Sequence, residues 1–298
     1  MSVSIEEQLP ERPARRDHIP LGILFMLGAT VMFSCSSAIS KWQVVDYPIG
    51  EVLFIRTLTS LLVCALLILP SAGLGVFHTR RPRDHFMRGL AQAISQTFIV
   101  IAFSLMPLAG AVAINFSAPL FATLASALVL KETVGMARWS ALIVGFLGVL
   151  IVAAPGADSF QTGALFALAN AVMYGSVTAA VRGMTATESS GTLTMYQMVV
   201  LTVIFSTFLP FGFVMPTGID GALMAANGAA NGLGQYWWTR ALHLAPASAV
   251  TPFYYFSLVW AIVIGFAVWG DVPTIGLLLG SAIVVGSGLF LLWRESRR

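Results

Sequence analysis

Two sets of polar side chains share a four-residue spacing inside otherwise apolar stretches: Arg88, Gln92 and Gln96 in the first set, and Asn227, Asn231 and Gln235 in the second. Residues at positions i, i+4 and i+8 lie along one face of a helix. A polar group buried without a partner costs about 2–7 kcal/mol, so each stripe needs a partner or water. The spacing therefore predicts either a shared water-filled passage or hydrogen bonding between packed helices.

Aromatic and amide side chains at further positions suit the same passage. Tyr254 is equivalent to Asn115 in an internal repeat, and Tyr174 shares a helix face with Asn170. A π face beside amide or hydroxyl groups fits a solute with an aromatic or large apolar part, although Tyr and Trp are also common at bilayer interfaces. The residues that we expect to line a substrate cavity are Gln92, Gln96, Asn115, Asn170, Tyr174, Asn231, Gln235, Tyr254 and Arg56.

Arg56 is the only basic residue well inside an apolar run. Charges within a membrane are rare and face a cavity or a partner. A guanidinium can hold a carboxylate through two parallel hydrogen bonds, so a substrate carboxylate is one expected partner. A structural pair with Glu51 or with a backbone carbonyl is the alternative.

Glycines and prolines interrupt the same apolar runs. Gly232 and Gly234 lie in the eighth run, and Pro119 and Pro252 lie in the fourth and the ninth. Broken or kinked spans at matching places in two halves mark the binding site of many transporters. We therefore predict hinges at these four positions, with kinks that serve only helix packing as the alternative.

Several kinds of chemistry are not supported by the residue types. No Asp or Glu falls in the middle of an apolar run, so no carboxylate proton relay is expected, and no GxxxxGK[ST] loop is present to bind ATP. The four histidines lack a second ligand at metal-binding spacing. The sequence therefore predicts no catalytic residues, metal, cofactor, ATPase subunit or nucleic-acid partner, and we do not expect an enzyme.

The elements that must position these residues are membrane spans. Hydrophobic residues make up 57% and charged residues 10% of the 298 residues, against roughly 25% charged in soluble domains, so most of the surface must face a lipid bilayer. Apolar runs of spanning length occur at 20–40, 48–70, 86–105, 109–130, 138–154, 162–182, 192–209, 220–242, 247–269 and 274–293. The eighth is the weakest, because amide residues and glycines dilute it.

The distribution of basic residues favours ten spans. With residues 1–18 as a flexible cytoplasmic tail, ten spans place fourteen of the sixteen Lys and Arg residues on the cytoplasmic side, leaving Lys41 outside and Arg56 within a span. This asymmetry follows the positive-inside rule and would be lost without the eighth span. Both termini are therefore expected in the cytoplasm, and the chain is expected to be a multi-pass protein of the cell (inner) membrane.

The chain also repeats itself. A shift of 139 residues aligns Gly89 with Gly228, Gln96 with Gln235, and Pro107 with Pro246, and a shift of 141 aligns Lys41 with Arg182. Five spans per half force the two halves, residues 19–156 and 157–298, to insert with opposite orientation. Inverted repeats are typical of secondary transporters, in which two equivalent halves exchange which side is open.

A set of short motifs marks the stretch from Ala102 to Gly148: Ser104-Leu-Met-Pro107, Pro119-Leu120, Leu130-Lys-Glu132 and Gly145-Phe-Leu-Gly148. With a second copy from Ala241 to Gly288, this pattern resembles the EamA-domain group of the drug/metabolite transporter superfamily. Within that group the chain is similar to YddG-type exporters of aromatic amino acids. The resemblance implies an all-α bundle of ten membrane helices around a central cavity. Gly270-Asp271 replaces Lys131-Glu132 in the second half, so any role of that lysine is not shared by both halves.

These features together predict a secondary transporter that exports small metabolites by alternating access. Neutral or aromatic amino acids are the substrate class that the resemblance implies. Two alternatives stay open: a carrier of other solutes such as amphiphilic drugs, and a membrane sensor that transports nothing. No oligomeric state, coupling ion or resting conformation is predicted.

Overall fold

The computed structural model describes residues 18–121, 124, 136–153, 158–184, 187–245 and 247–296. Three predicted features lie outside these ranges: the tail before residue 18, most of the second half of the fourth span, and the boundary between the two halves at residues 156 and 157. Within the ranges, the regular secondary structure is helical.

Ten helices of eight residues or more follow one another in the described chain. They are α1 (Ile19–Gln43), α2 (Ile49–Ala72), α3 (Pro82–Leu105), α4 (Leu108–Asn115), α5 (Met136–Val152), α6 (Asp158–Met184), α7 (Ser190–Ser206), α8 (Gly218–Leu244), α9 (Phe256–Trp269) and α10 (Ile275–Ser296). Each overlaps one of the ten predicted apolar runs, so the ten-helix all-α architecture is confirmed.

Most of these helices are apolar enough to lie in a bilayer. The chain segments of α1, α2, α3, α7 and α9 have the length and hydropathy of membrane spans, and shorter apolar helices lie within α4, α5, α6 and α10. Large apolar side chains such as Leu66 (75% exposed) and Val203 (59% exposed) cover the outside of the bundle. An apolar exterior on many spans requires lipid contact, and the protein is a multi-pass membrane protein.

Helix α8 is too polar to be recognised as a span by hydropathy, yet it is one of the two longest helices, at 27 residues. The hydroxyl of Thr217 caps its start by accepting a hydrogen bond from the backbone N–H of Asp220 (3.2 Å). It packs along both α1 and α2. Small residues permit this close approach: a Cβ at Gly228 would lie 2.5 Å from the carbonyl oxygen of Arg56.

The two halves of the chain are interleaved rather than placed side by side. Helix α1 packs against α8, and the equivalent helices of the opposite halves, α6 and α3, pack against each other in the same way. Three further contacts, α2 with α7, α4 with α9 and α5 with α10, join equivalent helices across the bundle. This pattern is what two repeats related by an internal two-fold axis produce.

The repeat is also visible in the backbone where α3 and α8 end. Met106 has φ −147° and ψ 165°, and Ala245, 139 residues later, has φ −149° and ψ 158°. The N–H of each donates to the carbonyl four residues earlier, that of Ala102 or Ala241. Two segments at one sequence shift therefore end their helices with the same geometry.

The bundle has two ends, which we name by their basic residues. The arginine end holds the start of α1, the end of α2, the start of α3 and the end of α8, with Arg80, Arg81, Arg83, Arg88 and Arg240. The Lys41 end holds the end of α1, the start of α2 and the end of α3, and Lys41 is the only Lys or Arg at this end in the described part of the chain.

Candidate functional site

Asn227 is the centre of a hydrogen-bonded network between α8 and α1. Its side chain is 0% exposed. Oδ1 accepts from Oγ of Ser36 (2.6 Å), and Nδ2 donates to Oγ of Ser40 (3.0 Å) and Oε1 of Gln43 (3.4 Å). All donors and the acceptor of this amide are used within the protein, so Asn227 holds two helices together and is not free to bind a solute.

Arg56 carries a buried positive charge within the bundle. It is 6% exposed; Nη1 donates to Oγ of Ser40 (3.3 Å), Nη2 donates to Oε1 of Gln96, and Nε has no acceptor among the described residues. Glu51 instead accepts from the backbone N–H of Val214 (2.9 Å), so the alternative Arg56–Glu51 pair is not formed. A guanidinium without a carboxylate partner keeps donors for an electron-rich solute.

A chain of amides joins α3, α6 and α4. Oγ of Ser95 donates to Oδ1 of Asn170 (2.6 Å), and Nδ2 of Asn170 donates to Oδ1 of Asn115 (2.6 Å). Asn170 is buried and Asn115 is half-buried. Since Nδ2 of Asn115 has no protein acceptor in the described chain, Asn115 keeps an amide donor for a solute.

The regular α-helix is interrupted at both Asn115 and Tyr254. Helix α4 ends at Asn115, and in the second half a helical turn at Ala247–Val250 gives way to a 3₁₀ turn at Thr251–Tyr255 before α9 begins. The predicted ninth span is therefore not one continuous helix. Pro252 lies in the 3₁₀ turn, where its missing N–H and fixed φ disfavour a regular α-helix.

Tyr254 places its ring among aromatic neighbours at this break. The ring packs edge-to-face against Phe33 of α1 (centroids 6.4 Å apart, planes at 76°) and against Phe116 (5.8 Å, 82°). The residue is half-buried, and its hydroxyl has no hydrogen-bond partner within the described ranges. An aromatic ring oriented by two edge contacts can offer a π face and a hydroxyl to a solute.

The remaining predicted cavity residues differ in how far they are engaged. Gln92 is 8% exposed and Gln235 is half-buried, and neither side chain bonds a described protein group. Nδ2 of Asn231 donates to Oγ of Ser60 on α2 (3.0 Å). Tyr174 on α6 is 38% exposed. Gln92 and Gln235 therefore keep unused amide groups, whereas Asn231 takes part in helix packing.

Arg88 is separated from the other members of its stripe by its contacts. Nη1 donates to the carbonyl of Leu193 (3.0 Å) and Nη2 donates to Oε1 of Gln197 (2.6 Å), both on α7. The four-residue stripe is therefore divided: Arg88 ties α3 to α7 at the arginine end, while Gln96 meets Arg56 further along the bundle.

Serines that bond the buried polar groups were not among the residues predicted from the sequence. Ser36 and Ser40 lie four residues apart on α1, and Oγ of Ser60 donates to the carbonyl of Gly228 (2.8 Å). The signal that could have found the first two is the same four-residue spacing that identified the amide stripes.

Two predicted hinges lie within a helix that runs without interruption. A Cβ at Gly232 would lie 3.0 Å from Cα of Ser60, and a Cβ at Gly234 would lie 3.1 Å from the ring of Phe33. These glycines permit close packing of α8. A hinge role for them stays a prediction, as does one for Pro119, which follows the end of α4.

Two clefts lie at the arginine end. The larger, about 450 Å³, is formed by α3 and α6, with Arg88 and Met173 among its lining residues. The second, about 260 Å³, is formed by α2, α7 and α8, with Ser190, Tyr236 and Arg240. None of the nine predicted cavity residues lines either of these two clefts.

Comparison with known proteins assigns the chain to a family. Residues 20–154 and 161–293 each match the EamA-like transporter family. A riboflavin transporter of Rhizobium johnstonii is 30% identical over 281 residues, covering 93% of each chain. An S-adenosylmethionine uptake transporter of Rickettsia conorii is 24% identical over 279 residues, covering 93% of this chain and 94% of the relative. A protein of known crystal structure shares the fold, with a TM-score of 0.65 and 20% identity over 93% of this chain and 98% of that one.

The matches refine what the sequence motifs predicted. The resemblance to the EamA group of the drug/metabolite transporter superfamily is confirmed in both halves. The narrower likeness to exporters of aromatic amino acids is not shown, because these relatives are named for riboflavin and S-adenosylmethionine. With nearly its whole length covered by two copies of one domain, the chain belongs to the EamA-like transporter family, a family of small-molecule membrane transporters.

Proposed function

We propose that this protein is a secondary carrier of a small solute that combines a planar aromatic ring with hydrogen-bonding groups. The two halves alternate around a site that includes Arg56, Gln96, Asn115 and Tyr254. The arginine end faces the cytoplasm of a bacterial cell, in keeping with the positive-inside rule.

The observation that carries this proposal is the environment of Tyr254. Its ring is fixed by Phe33 and Phe116, and it lies where the second-half helix is broken. The equivalent break in the first half begins where α4 ends, at Asn115, which keeps a free amide donor. An aromatic face and an amide at matching breaks favour a flat solute with polar edges.

Riboflavin is the first solute to test. Its isoalloxazine ring is flat and carries carbonyl and N–H groups along one edge, which amides such as Gln96 and Asn115 can bind. The riboflavin transporter of Rhizobium johnstonii, alike over nearly the full length, supports the same class. The Nη and Nε donors of Arg56 could approach the ring carbonyls without requiring a negative charge on the solute.

Aromatic amino acids are the second candidate, and one observation favours them. Arg56 is buried without a carboxylate partner among the described residues. A solute carboxylate would supply the missing counter-charge. Net export of either solute is expected when it accumulates in the cytoplasm.

Counterflow in proteoliposomes tests both candidates. Vesicles loaded with unlabelled riboflavin are expected to accumulate labelled riboflavin above the level of protein-free vesicles. No counterflow of riboflavin, tryptophan or S-adenosylmethionine would overturn the proposal. For the amino-acid candidate, Arg56→Gln is expected to reduce tryptophan exchange at least tenfold while leaving exchange of tryptophanamide, which lacks the carboxylate, within about twofold.

A further inference from the structure

Lys41 joins three helices at the end of the bundle opposite the clefts. It lies in the last turn of α1, half-buried, and its Nζ donates to the carbonyls of Phe103 (2.7 Å) and Met106 (2.8 Å). The ammonium also lies 5.4 Å from the ring centroid of Trp269 at the end of α9. One side chain therefore contacts both halves of the chain.

The contacts of Lys41 are strong for physical reasons. The last carbonyls of a helix have no partner within the helix and carry the negative end of its dipole, so an ammonium is favoured there. The face of a Trp ring attracts a cation as well. Lys41 satisfies the carbonyls at the end of α3 and holds them against α1.

Hydrogen bonds also join the end of α1 and the turn after it to the start of α8 at this end. Oη of Tyr47 donates to Oδ2 of Asp220 (2.7 Å), which joins the turn after α1 to the start of α8. That bond to the carboxylate raises the pKa of Tyr47, so the phenol stays protonated and able to donate at neutral pH. Nε2 of Gln43 donates to the carbonyl of Asp220 (3.4 Å).

The internal repeat supplies an equivalent arrangement at the arginine end. The sequence places Arg182 of α6 at the position of Lys41, and the end of α8 at the position of the end of α3. The backbone of Ala245 matches that of Met106. Yet α1 packs against α3, whereas the described residues of α6 and α8 form no comparable contact.

We propose that Lys41 is the latch that holds its end of the carrier shut, and that Arg182 forms the equivalent latch on the end of α8 in the opposite state. Each basic side chain grips the last carbonyls of a helix in one state and releases them in the other. Since the repeats are inverted, closing one end and opening the other are the same rearrangement viewed from opposite sides.

The test measures the distance between α1 and α3 without any solute, so it does not depend on the solute proposed above. Spin labels are placed at Val45 and Ser104, both exposed, in a background with Cys35 and Cys64 replaced by Ala. Double electron–electron resonance in lipid nanodiscs then reports the population with these helices apart.

Lys41→Met is expected to raise the population with α1 and α3 apart at least threefold over the background protein. Lys41→Arg, which keeps a charge and N–H donors, is expected to restore the background distribution. Arg182→Gln is expected to act in the opposite direction and reduce the separated population. A residue that only stabilised the fold would lower the melting temperature without these opposed shifts.

The proposal would be overturned if the distribution of α1–α3 distances were unchanged in Lys41→Met. It would also be overturned if the population with these helices apart increased in Arg182→Gln. Trp269→Leu provides a second route if Lys41→Met does not fold. It removes the aromatic face and leaves the carbonyl contacts, so a smaller shift in the same direction is expected. If Trp269→Leu folds and leaves the population with α1 and α3 apart unchanged, and Arg182→Gln does not reduce that population, the latch is equally contradicted.

Discussion

Nη2 of Arg56 donates a hydrogen bond to Oε1 of Gln96, which joins a charge on α2 to an amide on α3. This pair connects the predicted amide stripe with the only buried cation in the described part of the bundle. Because Gln96 contacts the guanidinium directly, a substitution at Gln96 can change the net charge of the site while Arg56 stays in place.

Replacing Gln96 separates stability from binding. Gln96→Leu leaves Nη2 without an acceptor and is expected to lower the free energy of unfolding by about 1.5–3 kcal/mol. Gln96→Glu keeps an acceptor for Nη2, so this variant should melt near the wild-type temperature. Its carboxylate compensates the positive charge of Arg56, so the variant should bind tryptophan at least tenfold more weakly. Thermal unfolding in detergent and counterflow measure the two effects. Wild-type tryptophan exchange in Gln96→Glu would exclude Arg56 as the carboxylate site.

Removing the amide of Asn227 should weaken the contact between α8 and α1. Asn227→Ala leaves Ser36 without its acceptor at a site with no access to water, and the expected cost is about 1–3 kcal/mol. Asn231→Ala is the matched control on the same helix, because Asn231 is only half-buried and makes one bond. Chemical unfolding of both variants in mixed micelles should give the larger loss for Asn227. An equal loss would show that the three hydrogen bonds of Asn227 contribute no more than the single bond of Asn231.

A methyl group at Gly228 is expected to push α8 away from α2. The added Cβ would lie 2.5 Å from both the carbonyl oxygen of Arg56 and Cβ of Thr59. Overpacking of this kind costs about 1–3 kcal/mol. Gly221→Ala is the control, since its nearest neighbour, Cβ of Pro216, would be 3.8 Å away. We expect Gly228→Ala to melt lower and transport more slowly and Gly221→Ala to match wild type; indistinguishable variants would contradict the close packing.

The ring of Tyr254 should matter more than its hydroxyl for a flat solute. Tyr254→Leu removes the edge contacts with Phe33 and Phe116 as well as the π face, and each aromatic pair contributes about 0.5–1.5 kcal/mol. The affinity for riboflavin is then expected to fall about 2- to 10-fold, while Tyr254→Phe stays within about twofold. Equilibrium binding to purified protein measures both. If Tyr254→Phe lowered the affinity for riboflavin by more than about twofold, the hydroxyl would be a main binding group.

Helix α8 illustrates what the sequence could predict and why. Its hydropathy is too low for a span, but the distribution of arginines required it, because membrane topology depends on charge across the whole chain. The repeat was equally accessible, since Gln96 and Gln235 recur at one shift. These are properties of composition and order, which require no knowledge of contacts.

The partners of individual side chains could not be predicted in the same way. The sequence places Asn227 and Asn231 on one helix face, yet the first is fully buried and bonded to α1, and the second is only half-buried. That difference depends on the rotation of α8 against α1 and α2, which glycine positions and side-chain volumes set together. The sequence likewise indicated a kink at Pro252, but it did not indicate that a 3₁₀ turn would extend over Thr251–Tyr255 before α9.

The interleaving of the halves has a consequence for how the chain is made. Ser36 and Asn227 are 191 residues apart, so α1 enters the bilayer with its hydroxyl face unmatched and remains so until α8 is synthesised. A fragment that stops before α8 would expose that face to lipid. The repeated five-helix half is therefore not a unit that folds by itself, and premature termination should yield material for proteolysis instead of a half-sized carrier.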